Sequence, residues 1–539
     1  MDRLNNGLCQ GLNLPGRRPF ARANALCRET AIDTCRALGP NSEPMMVSRF
    51  FQAVVLILGV LAIDLQAATS LDKDFNAPPA AARPWVYWYW FNGNLSADGI
   101  RADIAAMKES GLGGAMLFDV GYQPRGPVEN RSRQWYDLVR LAVSEAAARD
   151  MKITLTCPGW EASGGPWITP ELNMQELVWS ETHLRGPQHL TATIAAPFSR
   201  LGYYQDVALL AFPTIANDIP LKDLKPVFKK STGEVLSGIE GILDGNPDTG
   251  ATLPGQFEIV FEKPVELRSI YLVTTWKHWA WNVRLEAFDE EQNKFRLVSD
   301  KLRSYYAGYV SSFVGGTSFP AVTAKRFRMT FPNKEQALIQ ELDLRGSFRL
   351  QHWTTKAGFG CERIPPGMPE EQAVFHDIIP LGQVLDLTSK MSKDGKLQWK
   401  VPAGDWTILR LGHTARGNKV NVPAWGGEGL ECDKLSREAV DFDYDQTLKP
   451  VFQELGPELV KRAVAYCHVD SYEAGWQNWT RKFAGEFKSR RGYDLVHYLP
   501  ALTGRVVGDQ ETTERFLWDF RRTIGDLFAD NYDRRLRCL

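Results

Sequence analysis

The sequence predicts an α/β plus all-β protein, in which a (β/α)8-type barrel, incomplete in this chain, is interrupted by a large β-sandwich insertion. Three observations predict this fold class. Strand-length apolar runs alternate with helical patterns and short loops up to about residue 188. From about Leu190 to Leu411, turns rich in Gly, Pro, Asn and Asp separate strand-length runs, and helical periodicity nearly disappears. Helical periodicity then returns at Ser436.

The first barrel units, predicted within residues 69–188, follow a Pro- and Ala-rich linker at Ala77–Pro84. Ser96 is a predicted N-cap and Gly111 a predicted helix stop. Strands are predicted at Trp85–Phe91, Gly114–Val120 and Lys152–Cys157, with helices between them at about 96–110 and 131–149. Trp88 and Trp90 share one face of the first strand, and we favour barrel packing as their role.

The insertion is predicted in three parts: β-rich residues 189–237, a β-sandwich at 238–350, and a β-rich segment at 351–415. The middle part resembles a galactose-binding-type module through its runs at 241–249, 257–261, 267–272, 283–288, 326–331 and 339–344. Such modules bind sugars or only buttress a catalytic domain. The residues do not separate the two roles, and we favour the structural one.

Residues 416–539 are predicted to resume the barrel, with helices at 436–455, 478–491 and about 511–536. Between the first two lies an apolar run, Ala463–Cys467, that predicts a buried parallel strand. Three strands before the insertion and one or two after it fall short of the eight or so that a barrel needs. We therefore expect the barrel to be cut short in this sequence.

Composition excludes several classes of function. A formal net charge of -1 over 539 residues gives no basic face for a phosphate backbone, so nucleic acid is not an expected partner. Beyond residue 68 the cysteines are Cys157, Cys361, Cys432, Cys467 and Cys538. Their odd number and the absence of Cys-x-x-Cys pairs argue against a disulfide scaffold and against a zinc site.

Residues 45–68 carry the pattern of a signal peptide: Arg49, an apolar run at 53–63, and small residues at 67–68. We therefore expect export to the periplasm or the cell exterior, with no stable membrane anchor. The 44 residues before Met45 are predicted to be a non-native or disordered leader, with translation beginning at Met45 or Met46. The alternative is an inner-membrane anchor with a cytoplasmic tail, although the apolar run is short for a bilayer.

Candidate site residues follow the predicted barrel strands, because chemistry in such barrels takes place where the strands end. They are Asn92, Asp119, Trp160, Trp167, Glu431, Asp433, His468, Asp470, Glu473 and Trp476. Acids and an imidazole next to indoles suit a polar ligand with flat apolar faces, such as a sugar. Each has a structural alternative: helix caps or ion pairs for the acids, a turn-rich connector for the 156–167 loop, and core packing for the tryptophans.

An acidic stretch at Asp441–Gln446 resembles the start of an EF-hand loop. Gln446 stands where that loop requires glycine and Phe452 where it requires glutamate, so we reject the motif and predict a solvated helix. Glu431 and Asp433 lie two residues apart. In an extended segment they would share a face, where they could hold a hard cation or sugar hydroxyls.

Several separated motifs, in order, resemble glycoside hydrolase family 106, the bacterial α-L-rhamnosidases. They are Pro84–Asn94, Met116–Asp119, Pro158–Trp160, Ser163–Glu171, Gly429–Lys434, Asp470–Glu473 and Asn478–Thr480. The resemblance implies a barrel with inserted β domains, an inverting mechanism and a calcium ion at the sugar, whose ligands we do not assign. Glu473 matches the general acid of the family. The general base is implied well downstream, beyond Leu539.

These observations predict the N-terminal part of an exported enzyme that removes terminal α-L-rhamnose from plant-type polysaccharides or glycoconjugates. Leaving-group protonation requires a carboxyl that holds a proton, and aromatic neighbours such as Trp476 would favour that form for Glu473 by desolvation. Without the general base, the chain as given is expected to be inactive. Two alternatives stay open: a carbohydrate-binding protein without turnover, and a glycosidase of other sugar specificity on the same barrel.

Overall fold

The structure is a computed structural model that describes residues 74–156, 163–275, 280–305, 312–360, 371–469 and 473–538. The chain divides into two compact units, 1–82 and 83–539. Of the first unit only residues 74–82 are described, with a 3-10 turn at Ala80–Ala82. The predicted signal peptide, Trp160 and Asp470 lie outside the described residues. In the described part of the chain, no helix has the length and apolar character needed to span a membrane.

The second unit opens with the predicted alternation of strands and helices: β1 Trp85–Phe91, α1 Ala97–Glu109, β2 Gly114–Val120, α2 Arg133–Ala148 and β3 Lys152–Thr156. The predicted cap is confirmed, because the Ser96 hydroxyl accepts a hydrogen bond from the N–H of Gly99. Ser132 caps α2 in the same way, by accepting from the N–H of Trp135. Gly111 adopts φ 81°, which favours glycine after a helix.

Antiparallel strands dominate the middle of the chain. The first group is β4 Gly164–Gly165, β5 Gln175–Thr193, β6 Tyr204–Pro213 and β7 Val227–Lys230. The second is β8 Ala251–Pro254, β9 Gln256–Thr275, β10 Ala280–Asn282, β11 Arg284–Asp289, β12 Lys294–Ser299, β13 Arg303–Tyr305, β14 Ser312–Thr330 and β15 Gln336–Arg345. The short helix α3 Trp353–Lys356 precedes β16 Ile378–Ile379, β17 Leu385–Asp386, β18 Lys396–Ala415 and β19 Leu430–Glu431.

Helices return after β19: α4 Arg437–Gln446, α5 Leu448–Leu455 and α6 Pro457–Ala463 lead to β20 Val464–His468. They are followed by α7 Phe483–Arg491, β21 Val506–Val507, α8 Gln510–Phe528, a π-helical turn at Ala529–Asp533, and α9 Arg534–Cys538. The predicted helix at 436–455 is thus two helices, since Thr447 leaves helical geometry with ψ -81°. The predicted helix at 478–491 begins at Phe483 instead, because Asn478 and Thr480 bond to other segments.

Short 3-10 turns connect these elements at Leu221–Leu224, Glu240–Ile242, Phe375–Asp377, Leu381–Gln383, Thr388–Lys390 and Val496–Thr503. The insertion forms two main antiparallel sheets. One has the order β17-β6-β18-β5, and the other has the order β12-β11-β14-β9-β15-β8 with β7 on β9. Since β5 pairs with β18 from Gln175 onward, the antiparallel part begins before the predicted boundary at residue 189.

The sheet that positions the site is parallel, with the order β1-β2-β3-β20. Helices cover one of its faces, where Trp88 and Trp90 are buried in a core with Ile104 and Val143, as the packing prediction for the two tryptophans requires. The described residues show four strands in this sheet, so closure into a barrel stays a prediction.

The predicted burial of the strand at Ala463–Cys467 is wrong for three of its residues. Ala465, Tyr466 and Cys467 are exposed in β20, and only Ala463, at the end of α6, is fully buried. The reason is position: β20 is an edge strand of the described sheet. An apolar run predicts a strand, but it does not show whether that strand lies at the centre or at the edge of a sheet.

Candidate active site at the carboxyl edge of the parallel sheet

The carboxyl ends of the four parallel strands place several predicted residues at one edge. Trp90 of β1 pairs with Asp119 of β2, and His468 of β20 pairs with Thr156 of β3. Asn92 follows β1 directly. The structure therefore brings Asn92, Asp119 and His468 to the edge where barrel enzymes carry their chemistry.

The side chain of Asn92 forms hydrogen bonds to two loops at this edge. Its backbone adopts φ 49°, in the left-handed region that asparagine tolerates better than most residues. The side-chain amide donates to the carbonyl of Gln123 at 2.6 Å, and the amide oxygen accepts from the N–H of Trp425 at 2.8 Å. Both ends of the amide thus hold the loops that surround the edge.

Asp119 is a buried acid with one engaged oxygen. Its Oδ2 accepts hydrogen bonds from Asn130 at 2.6 Å and from the Trp135 indole at 2.7 Å. Burial raises the pKa of Asp119 to about 6, and these two hydrogen bonds only partly oppose that rise. Its Oδ1 has no hydrogen-bond partner among the described residues. A cavity of about 30 Å³, with room for about one water, lies beside the side chain.

His468 is a neutral imidazole at this edge. Its Nδ1 and the Thr154 hydroxyl share a hydrogen bond of 2.7 Å, and its ring lies 4.6 Å from that of Phe118. Burial lowers the pKa of His468 to about 4, so the ring is uncharged near neutral pH. In the part of the chain that the structure describes, Nε2 has no partner.

Glu431 and Lys434 form a fully buried ion pair, with Nζ on Oε2. Burial raises the pKa of Glu431, and the ammonium group of Lys434 opposes that rise. The pair lies where β19 joins β4. Lys434 was not among the predicted site residues, because residues 431–434 lie in a strand end and a turn, where the helical spacing rule for ion pairs does not apply.

Asp433 connects this loop to the segment after β20. Its Oδ1 accepts from the N–H of Leu435 at 2.9 Å and from Gln477 at 2.8 Å, and its Oδ2 accepts from the Thr480 hydroxyl at 2.6 Å. Burial raises the pKa of Asp433 to about 6 despite these bonds. The carboxylate therefore positions residues 477–480.

Glu473 lies four residues before Gln477 and is half-buried. Trp476 follows Glu473 by three residues, and the guanidinium of Arg416 lies 3.6 Å over its ring. Asn478 accepts from the N–H of Leu177 at 2.8 Å and donates to the carbonyl of Ala357 at 3.1 Å. Together with the Asn418 amide, which donates to the carbonyl of Ala474, these contacts hold the chain just after Glu473.

Trp167 belongs to a cluster that the sequence interpretation missed. Its indole donates to Asp443 at 2.8 Å, and the Arg131 guanidinium lies 4.4 Å over its ring. Asp443 is buried, so the prediction of a solvated helix is wrong at this position, whereas Asp445 pairs with Lys449 on the surface. Helical spacing was the available signal: Ala439, Val440 and Asp443 lie on one face.

Replacement of Asp443 by Asn is expected to weaken the pH dependence of stability. Burial raises the pKa of Asp443 to about 7 from its ordinary 3.8. The folded protein therefore holds a proton that the unfolded chain loses above about pH 4, and the stability that this proton contributes is lost as pH rises to about 7. The asparagine side chain keeps an amide oxygen that can still accept from the Trp167 indole. The free energy of unfolding, measured with urea from about pH 4 to 8, should fall less with rising pH for Asp443→Asn than for the unchanged chain.

The control is Asp445→Asn, which removes a half-exposed carboxylate from the same helix. It should follow the pH profile of the unchanged chain. If the free energy of unfolding changes equally with pH in Asp443→Asn and in the unchanged chain, Asp443 takes up no extra proton on folding.

The described residues contain no cluster of acidic side chains that could hold a calcium ion. Calcium binds six to eight oxygen ligands, and no group of three or more His, Cys, Asp or Glu side chains in the described ranges is arranged to hold a metal. Glu431 pairs with Lys434, and Asp433 accepts from Gln477 and Thr480, so each carboxylate is engaged by the protein itself.

Comparison with known proteins identifies relatives over most of the chain. Residues 76–537 match the model of glycoside hydrolase family 106, described as alpha-L-rhamnosidase. The structure of a rhamnosidase from Novosphingobium sp. PP1Y superposes with a TM-score of 0.74 at 31% identity, covering 86% of this chain and 45% of that one. A putative beta-glucuronidase of Formosa agariphila is 32% identical over 494 residues, 90% of this chain and 31% of its own length. The chain thus spans less than half the length of either relative.

Proposed function

The chain belongs to glycoside hydrolase family 106, and on this premise we propose that it is part of an exported α-L-rhamnosidase. The enzyme would remove terminal α-L-rhamnose from plant-type polysaccharides or glycoconjugates with inversion at the anomeric carbon. The observation that carries the proposal is the position of Glu473, on a segment that Asp433 and Asn478 hold just after the parallel strand β20.

In this proposal Glu473 is the general acid. As the glycosidic bond breaks, its carboxyl donates a proton to the departing oxygen, which would otherwise leave as an alkoxide. Inversion also needs a carboxylate about 6.5–9.5 Å from the acid to activate water. The family resemblance puts that base downstream of the acid, so the tests compare this chain with a longer version.

Groups at the sheet edge would bind the sugar. Asp119 Oδ1 and His468 Nε2 have no protein partner in the described ranges, and we propose that these two groups bond to sugar hydroxyls. We propose that Asp470 and Trp160, which the structure does not describe, complete this pocket. Asn92, Asp433 and Trp167 would contribute mainly by positioning, since their polar groups already bond to the protein, and Glu431 would do so through the bond of its Oε2 to Lys434.

The antiparallel insertion would support the catalytic part of the protein. Its seven-stranded sheet encloses its own apolar core, which includes Phe257, Ile259, Phe327 and Leu342. This is the behaviour expected of a galactose-binding-like β-sandwich in a structural role, and we propose that identity for residues 238–350. The parallel sheet would be one part of a (β/α)8-type barrel.

Calcium remains part of the proposal only through the family resemblance. Since the described residues form no ligand set for it, no step of the mechanism is assigned to the ion. Export rests on the signal-peptide pattern at residues 45–68.

A direct assay separates this proposal from a glucuronidase. The named relative from Formosa agariphila is a putative beta-glucuronidase, so nitrophenyl α-L-rhamnoside and nitrophenyl β-D-glucuronide are compared, with and without EDTA. We expect a version extended beyond Leu539 to release nitrophenol from the rhamnoside, and the chain as given to release little or none. Loss of the activity in EDTA would support calcium.

Release of nitrophenol from the glucuronide alone would contradict the rhamnosidase proposal and indicate a glucuronidase. Binding of rhamnosides without release by either version would favour a carbohydrate-binding protein.

A further inference from the structure

A large cavity lies where the two antiparallel sheets meet the segment after β20. Its volume is about 730 Å³, within the range of ligand pockets. Strands β5, β9 and β15 line one part of the wall, and the connecting segments at 195–200, 220–223 and 243–247 line another. Of the predicted site residues that the structure describes, Trp476 alone lines it, so this cavity is distinct from the sheet edge that carries Asp119 and His468.

Aromatic side chains form one wall. Trp179, Tyr271 and Trp476 are partly exposed, and the buried Trp353 and Phe359 lie behind them. Ring centroids are 5.5 Å apart for Trp179 and Phe359, 5.5 Å for Tyr271 and Trp353, and 5.6 Å for Phe359 and Trp476. Rings packed against one another in this way are held in place, so their exposed faces are pre-formed for a flat apolar surface.

Several charged residues of the cavity are paired with one another. Arg345 bonds to Glu181 at 2.8 Å and to Asp343 at 2.6 Å, and Arg416 bonds to Glu176 at 2.9 Å. The lining holds five basic residues and six acidic ones: Arg200, Lys222, Arg345, Arg349 and Arg416, with Glu176, Glu181, Asp223, Asp244, Glu341 and Asp343.

The basic residues of the wall do not outnumber the acidic ones. Burial raises the pKa of Glu341 to about 8, and the nearby Asp244 carboxylate adds to the rise. The wall therefore has no excess of positive charge with which to select a polyanion. Polar groups between flat aromatic faces, without excess positive charge, match a ligand with hydroxyls and apolar ring faces.

We propose that this cavity binds a neutral oligosaccharide, as the part of the substrate beyond the rhamnose that is released. The choice of a sugar as ligand rests on the proposed function. Trp476 follows Glu473 by three residues, so the aromatic wall begins at most about 11 Å from the proposed acid, measured between Cα atoms. A glycan held at the acid would therefore place the sugar that follows the rhamnose at this wall.

The test measures binding, by titration calorimetry with rutinose, a neutral disaccharide of rhamnose and glucose. All proteins carry Glu473→Gln so that the disaccharide is not hydrolysed. Trp179→Leu keeps apolar volume but removes the flat ring, and we expect it to weaken binding about tenfold or more. Trp179→Phe keeps a ring and should retain most of the affinity. Trp518→Leu is the matched control, because Trp518 is a 57% exposed indole outside this cavity.

Digalacturonic acid is the acidic comparison and should bind more weakly than rutinose. Unchanged rutinose affinity in Trp179→Leu, with native near-UV circular dichroism, would overturn the proposal, and so would the absence of rutinose binding to every protein. Tighter binding of digalacturonic acid that depends on Trp179 would overturn the neutral class. Because the readout is binding, a failure of the rhamnosidase assay does not decide this result.

Discussion

Replacement of Glu473 by Gln is expected to lower the turnover of a natural rhamnoside by about 100- to 10,000-fold, the range that general acid catalysis contributes. Glutamine keeps the size of the side chain and its capacity for hydrogen bonds, but it has no proton to give to the leaving oxygen. Binding of the rhamnoside should change little, because the fold around residue 473 depends on Asp433, Gln477 and Thr480. The measurement is kcat and KM for an alkyl rhamnoside, in the version of the protein that hydrolyses rhamnosides.

The leaving group provides an internal control. Nitrophenolate leaves without much help from an acid, so nitrophenyl rhamnoside should lose less rate than the alkyl rhamnoside in the same variant. Glu458→Gln is the matched protein control, since Glu458 is exposed on α6, which precedes β20 at its amino end. Full turnover of the alkyl substrate by Glu473→Gln would remove Glu473 from the acid role.

Replacement of Lys434 by Met is expected to lower the free energy of unfolding by about 3–5 kcal/mol near neutral pH, the usual cost of removing one partner of a buried ion pair. Both side chains of the Lys434–Glu431 pair are fully buried. Methionine fills a similar volume, but it leaves the Glu431 carboxylate without its countercharge. The difference in the free energy of unfolding between the variant and the unchanged chain is measured by urea unfolding, followed by tryptophan fluorescence.

The pH dependence of that loss identifies its cause. Burial already raises the pKa of Glu431 above its ordinary value, and without the ammonium group the folded protein holds the proton more strongly. The variant is then stabilised by a proton at low pH and loses that stability as pH rises, so the loss is smaller near about pH 5 than near about pH 8.

The double variant Glu431→Gln with Lys434→Met removes both charges and is the control for packing. It should lose less stability than Lys434→Met alone, which gives a favourable coupling energy in the double-mutant cycle. If the single and double variants lose the same amount, the pair adds nothing beyond the volume of the lysine side chain.

Local patterns in the sequence predicted the elements around the site. The strands at 85–91 and 114–120 have the bounds expected from their apolar runs, and Ser96 caps its helix as its position before that helix requires. Asp119 and His468 lie at a shared edge because strands joined by helices run parallel, and parallel strands end on the same side. The resemblance to the family pointed to Glu473 because each motif is a short run of residues that can be recognised in the sequence.

Tertiary structure decided what those residues contact. The burial of Asp443 under Trp167, the full burial of the Glu431–Lys434 pair, and the meeting of Trp179 with Tyr271 and Trp476 all depend on how distant segments pack. The exposure of β20 has the same origin, since a run of apolar residues is the same in a central strand and at an edge. Periodicity and capping act over one helical turn or one strand, whereas burial, pKa values and cavities depend on neighbours that lie tens to hundreds of residues away along the chain. For this protein the sequence therefore determines the strands, the caps and the family motifs, and the packing of the sheets determines the protonation of the acids and the shape of the binding cavity.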